Sequence, residues 1–200
     1  VPEDGGQRSR LRAERSDGIQ NRQRILATAM VVVARDGLQV PLATVAAEAG
    51  VGIGTLYRHF PNRAALLDGL VVQSLRLVVD ELREAAAQAV TGIDAVRGYL
   101  LRMIDRRDEL LLPLRGGPAV ISDEAIGLRD ELRQTIEAML ARGGADGTIR
   151  AGVRALDLIL MATMVAQPLP GVTDWDRHAR RAAGIYLAGL APHDDGLALL

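Results

Sequence analysis

Two hundred residues carry 24 basic side chains against 25 acidic ones, a formal net charge of −1, and 48% of them are hydrophobic. The absence of cysteine excludes disulfides, zinc fingers and thiol redox sensing. No apolar run reaches the ~18 residues of a membrane span and no signal-peptide core opens the chain, so a cytoplasmic protein is expected. Every basic residue is arginine, a bias expected of a GC-rich genome rather than of chemistry. The few aromatics (Tyr57, Phe60, Tyr99, Trp175 and Tyr186) leave the core to aliphatic side chains.

The charge is unevenly spread. Arg8, Arg10, Arg12, Arg15, Arg22 and Arg24 face only Glu14 and Asp17 over the same stretch, whereas the chain from Leu70 onward leans acidic. Residues 1–17 read as a disordered arginine-rich arm with little apolar content. Ile19 to Asp36 reads as a first helix that buries Ile25, Leu26, Ala29, Val32 and Val33, and Gly37 stops it. A second helix starts near Pro41 to Ala43, where proline is tolerated, and ends at Gly50. A third runs from Ile53 to Phe60, with Ile53, Leu56 and Phe60 on one face. Gly50 supplies the positive φ that a tight corner between two helices requires. With Leu56 and Phe60 inward, Gly54, Thr55, Arg58 and His59 fall on an outer side that is small, polar and basic. That pattern is expected of a helix-turn-helix whose second helix enters a DNA major groove.

The segment AGVGIGTLYRHFPNRAALL resembles the signature of the TetR (tetracycline-repressor) family of bacterial regulators, and the likeness runs from about Gln20 to Leu70. The pattern is departed from in two ways. Pro41-Leu42 and Gly52 stand where the family usually starts its two short helices with Ser or Thr, and Arg63 stands where it usually has Lys. The resemblance implies binding to double-stranded DNA at a palindromic operator, as a homodimer, under control of a small-molecule effector. Thr55 and Arg58 are the candidates for base contact, a methyl on thymine and a guanidinium fork on guanine. Gly52 and Gly54 allow close approach, and Ile53 is part core and part groove edge. Tyr57 and His59 fit phosphate contact, and Thr44 and Arg63 can hold the backbone on either side.

Pro61-Asn62 break the chain before a fourth helix that Asn62 can cap and that reaches about Val90. Thr91-Gly92 open a fifth, Ile93 to Leu112, ended by Pro113 and Gly116-Gly117-Pro118. A short helix over Ala119 to Ile126, a longer one from Gly127 to Arg142, and a loop of Gly143, Gly144 and Gly147 are expected next. The segment from Ala155 to Gln167 is so apolar that it should be covered on more than one side. Asp174 to Leu190 forms the last helix, before a tail over residues 193–200. The predicted fold is all-α: a three-helix DNA-binding domain (18–64) joined by a long helix to a helical effector-binding and dimerisation domain (65–192). Candidate pocket residues are Arg102, Met103, Arg106, Met139, Met161, Met164 and Gln167, with Arg107 and Gln134 as further polar groups. The dimer interface is expected at Leu156, Leu160, Ala183, Tyr186, Leu187 and Leu190.

Enzymatic readings fare poorly. His59, His178 and His193 are too scattered to form a metal cluster, so neither a metal nor a cofactor is expected. The serines lack a nucleophile-elbow setting, and GVGIGT has neither the preceding strand nor the following Lys of a phosphate loop. The expectation is a ligand-responsive repressor. Its competitors are a helical small-molecule carrier or enzyme with a structural hairpin, and a non-specific architectural DNA binder.

Overall fold

The structure is a computed structural model that describes residues 4–110 and 122–192, with side chains from residue 17 onward. Among the described residues every regular element is helical, eight α-helices and one 3-10 turn. They fall into two compact units, Val1–Leu70 and Val71–Leu200.

The first unit contains α1 (Asp4–Asp36), α2 (Leu42–Glu48), α3 (Ile53–His59) and the start of α4 (Arg63–Gln88). The backbone expected as an irregular arm is helical from Asp4 onward. Arg, Gln, Glu, Leu and Ala are strong helix formers, and Gly5, Gly6 and Gly18 each cost only about 1 kcal/mol against alanine, so a highly charged stretch can still extend a helix. The side chains of Arg8, Arg10, Arg12 and Arg15 lie outside the described residues. Ile25, Leu26, Ala29, Val32 and Val33 are buried as predicted, with Val45, Ala46, Ala49, Leu56 and Phe60.

Two glycines turn the chain, Gly37 at φ +87 and Gly50 at φ +63. At the second, the Gly50 and Val51 N–H groups donate to the carbonyls of Ala47 (3.1 Å) and Ala46 (3.0 Å), a Schellman closure of α2. Leu66 and Leu70, at the end of this unit, are buried. A Cβ at Gly69 would stand 3.0 Å from Phe60 Cε1 and 3.1 Å from Leu26 Cδ2, so glycine there leaves room for the Phe60 ring.

The second unit contains the rest of α4, then α5 (Gly92–Asp105), a 3-10 turn (Arg107–Glu109), α6 (Asp123–Ala145), α7 (Ala155–Val165) and α8 (Trp175–Leu190). One aliphatic core joins these helices, with Leu82, Leu100, Ile104, Ile136 and Leu158 fully buried. Three expectations need correcting. The fifth helix stops at Asp105, with Leu110 closing a 3-10 turn; Leu111 to Ile121 lie outside the described residues. A single α6, capped by Ser122 accepting from the Ala125 N–H, replaces the short and long helices, because one exposed Gly127 is too weak a breaker. Gly143 and Gly144 lie inside α6 rather than in a loop.

Gly143 is needed for packing, not turning. A Cβ on Gly92 would stand 2.2 Å from Gly143 Cα and 2.3 Å from its N, so the two backbones touch where α5 begins. That start is held from outside its own helix: the Gly92 N–H donates to Asp146 Oδ2 at 2.7 Å and the Ile93 N–H to Thr148 Oγ1 at 3.2 Å. Hydrogen bonds from Thr148 and from the Gly92 backbone hold the Asp146 carboxyl below the ordinary aspartate range. Gly92→Ala sets methyl against backbone that cannot yield, and is expected to destabilise the fold by about 2–3 kcal/mol. Thermal unfolding followed by the fluorescence of Trp175, whose indole N–H donates to the Val165 carbonyl at 2.9 Å, measures it.

Candidate functional site

Helix α3 is only seven residues long and neither it nor α2 has a side-chain cap: Pro41 and Gly52 occupy the cap positions without making a cap bond. Burial of Leu56 and Phe60 therefore anchors α3. Over the ring of Phe60 lies the Arg22 guanidinium of α1, 5.2 Å from the centroid. Sequence reasoning counted Arg22 only as part of a charge run; no local pattern pairs residues so far apart.

The outer side of α3 is as expected. Tyr57 and Arg58 are exposed, Ile53 is 44% exposed, and Thr55 and His59 are half-buried. Arg58 Nη2 stands 3.5 Å from Thr55 Oγ1, so the two candidate reading side chains lie side by side one turn apart. Thr44 is half-buried in the first turn of α2. Arg63 is partly engaged within its own unit, because its Nη1 donates to the Leu38 carbonyl at 2.8 Å, which leaves the rest of the guanidinium for any outside contact. Asn62 caps α4, its Oδ1 accepting from the Ala65 N–H at 2.9 Å.

The α3 glycines differ from those of the body. A Cβ at Gly54 would meet nothing within 4 Å, and one at Gly52 only Thr55 Oγ1 at 4.0 Å. Neither has positive φ. Nothing among the described residues demands glycine there, which is what a surface that presses its backbone on an outside partner would present. Gly54→Ala is expected to leave the melting temperature equal or higher, since alanine is the better helix former by up to about 1 kcal/mol. On the expectation that α3 enters a DNA groove, it should at the same time weaken duplex binding by roughly 1–3 kcal/mol per α3 helix, the range for overpacking a close contact. Parallel melting and binding curves separate the two effects.

In the second unit a cavity of about 520 Å3 opens between α4, α5, α6 and α7. Of the predicted pocket residues only Met103 lines it; the others are Leu75, Val78, Tyr99, Leu110, Arg129, Asp130, Leu132, Arg133, Ile159, Ala162, Thr163 and Ala166. Arg102 and Arg106 are turned instead to the nearly buried Glu81, each at 2.9 Å, and Arg107 pairs with Asp176. Met139 is packed in the core, Met161 is half-buried, and Met164, Gln134 and Gln167 face outward. Burial raises the hydroxyl pKa of Tyr99, so it stays neutral.

Helix α7 is not covered on all sides within one chain. Leu156, Leu160 and Met164, spaced by four, are 61%, 53% and 65% exposed, and Ile185 of α8 is 64% exposed. Of the residues expected at a dimer interface, Leu156 and Leu160 lie on this stripe and Tyr186 and Leu187 are half-buried. Ala183 and Leu190 are buried in the chain's own core and cannot face a partner; the small and apolar residues of the second half of α8 run nearly round the helix and do not themselves say which side is inside. The Tyr186 hydroxyl is buried without a hydrogen-bond partner among the described residues, and burial, with the Asp157 charge, pushes it up to about 12.

Residues 25–70 match the family described as bacterial regulatory proteins, tetR family. The chain is similar to a TetR transcriptional regulator of Streptomyces coelicolor, SCO0520. The structures agree with a TM-score of 0.60 at 30% identity, over 86% of this chain and 98% of that one. It is 28% identical over 135 residues to the nucleoid occlusion factor SlmA of Shewanella frigidimarina, 64% of each protein. It is 27% identical over 132 residues to the HTH-type transcriptional repressor KstR of Mycobacterium tuberculosis, 64% of this chain and 60% of that protein. These two alignments thus span less than two thirds of either relative.

Proposed function

Because the chain belongs to the TetR family of bacterial regulatory proteins, we propose that it is a sequence-specific DNA-binding transcription regulator, not an enzyme, that represses from a palindromic operator as a homodimer. The observation that carries this reading is the outer side of α3: Thr55 and Arg58 adjacent, Tyr57 exposed, and two glycines that nothing among the described residues requires. Thr55 and Arg58 read base edges in the major groove, Gly52, Gly54 and Ile53 set the depth of approach, and Thr44, Tyr57, His59 and the free part of Arg63 hold phosphates. Residues 18–64 form the reading module and 65–192 the regulatory one. The name of KstR as a repressor supports repression over activation. No helix among the described residues is long and apolar enough to cross a membrane, in keeping with a cytoplasmic site of action.

A second copy covers Leu156, Leu160, Met164 and Ile185 in a two-fold contact, which pairs two α3 helices for two half-sites. A small molecule in the body cavity supplies the switch. Helix α4 holds Arg63 in its first turn and lends Leu75 and Val78 to the cavity wall, so reshaping the cavity acts on the helix that the reading module ends on. A differential affinity of ~1–3 kcal/mol between the two states gives a 5–150-fold release. The test is selection of bound duplexes from a random pool followed by sequencing. An enriched inverted repeat is the expected result; retention of all sequences equally points to an architectural binder, and retention of none to a carrier with a structural hairpin.

A further inference from the structure

The wall of the body cavity is divided. Leu75, Val78, Met103, Leu132 and Ile159 make most of it apolar, while Arg129, Asp130 and Arg133 sit within about one turn of α6. These three are exposed, so the cavity meets water along this side. The pairing there is uneven, because both neighbouring acids lie against Arg133. Glu137 answers Arg133 at 2.9 Å, and Asp130 stands 3.9 Å from the same guanidinium. Arg129 makes no ion pair or hydrogen bond with any described residue. Elsewhere in the unit, Arg102 and Arg106 share Glu81 and Arg107 has Asp176.

A planar guanidinium without an acid matches a carboxylate edge on. An anion seated at the mouth keeps water on one side and avoids the penalty of deep burial. Farther in, the described wall offers only neutral polar groups, among them the hydroxyls of Tyr99 and Thr163, so a second charge on the buried part of a ligand would have no counter-ion. A cation at the mouth would meet Asp130 flanked by two arginines. Building on the effector reading above, we propose that the ligand of this cavity is an amphipathic monoacid: an apolar chain or ring system with one carboxylate, the acid resting on Arg129.

Two matched triplets test this with the full-length protein and titration calorimetry: decanoate, 1-decanol and decylamine, and the carboxylate, alcohol and amine of adamantane. Within each triplet the acid is expected to bind tighter than the alcohol, by up to about fivefold, as a partly exposed ion pair provides, and the amine weakest. The preference should shrink from about 0.05 to about 0.5 M salt. Arg129→Ala removes an exposed side chain, so the fold should tolerate it; it should bring the acids to the level of the alcohols and leave the alcohols unchanged. Alcohols or amines binding as tightly as acids, or an acid preference that survives Arg129→Ala, overturns the acid class while leaving the cavity as the effector site. If none of the six compounds binds, the acid class and the cavity's role fall together.

Discussion

Replacing Arg58 by alanine is expected to erase preference for the selected palindrome while leaving the protein folded and dimeric. Arg58 is exposed on α3 and its only described contact is the 3.5 Å approach to Thr55 Oγ1, so its loss should change stability by no more than about 0.5 kcal/mol. A bidentate contact to a guanine edge discriminates by ~1–3 kcal/mol. Two protomers double this to roughly 2–6 kcal/mol, from some thirty-fold to above ten-thousand-fold in affinity. Fluorescence anisotropy with the selected palindrome and a scrambled duplex measures both the loss and its selectivity. The salt dependence separates two roles. A base reader should leave the slope of log affinity against log salt nearly unchanged, whereas a phosphate contact lowers it by about one per protomer. A uniform loss over both duplexes with a shallower slope would move Arg58 from reading to holding. Thr55→Val keeps a methyl for thymine and should disturb the preference less than Thr55→Ser, which removes it.

The head was legible because its signals are local. Gly50, the i, i+4 pair of Leu56 and Phe60, and Asn62 each act within one or two turns, and all three behave as their chemistry dictates. The body was legible in its helices and not in its cavity. Arg102 and Arg106 read as cations available for a ligand, yet Glu81, 21 and 25 residues away, engages both. Arg129 looks like any solvated helix residue, and only the packing of α4, α5, α6 and α7 places it at the cavity edge. Gly143 shows the same limit from another side. A glycine read as a loop residue proved to be a point where two backbones meet, and only the position of Gly92 reveals that. The start of α1 failed for a different reason: side chains that keep a segment soluble are also those that favour a helix.

Leu160→Glu should convert the protein to a monomer and abolish palindrome binding. Leu160 is 53% exposed on α7, between Leu156 and Met164 on the same stripe, so the isolated chain tolerates a carboxylate there with water around it. In a two-fold contact the same side chain is buried twice. Each leucine removed forfeits ~1.5–3 kcal/mol of burial, and each carboxylate brings a further desolvation penalty of several kcal/mol. The sum, on the order of 6 kcal/mol or more over two sites, raises the dimer dissociation constant at least about ten-thousand-fold. Sedimentation velocity at micromolar protein should show one monomer boundary with helical circular dichroism retained. Ala183→Glu is the contrasting variant. Ala183 is 1% exposed in its own core, so a carboxylate there should unfold the body rather than split a dimer. A Leu160→Glu protein that still sediments as a dimer would place the two-fold contact elsewhere on the chain. The pairing of α3 helices argued from this stripe would then have to be rebuilt from another surface.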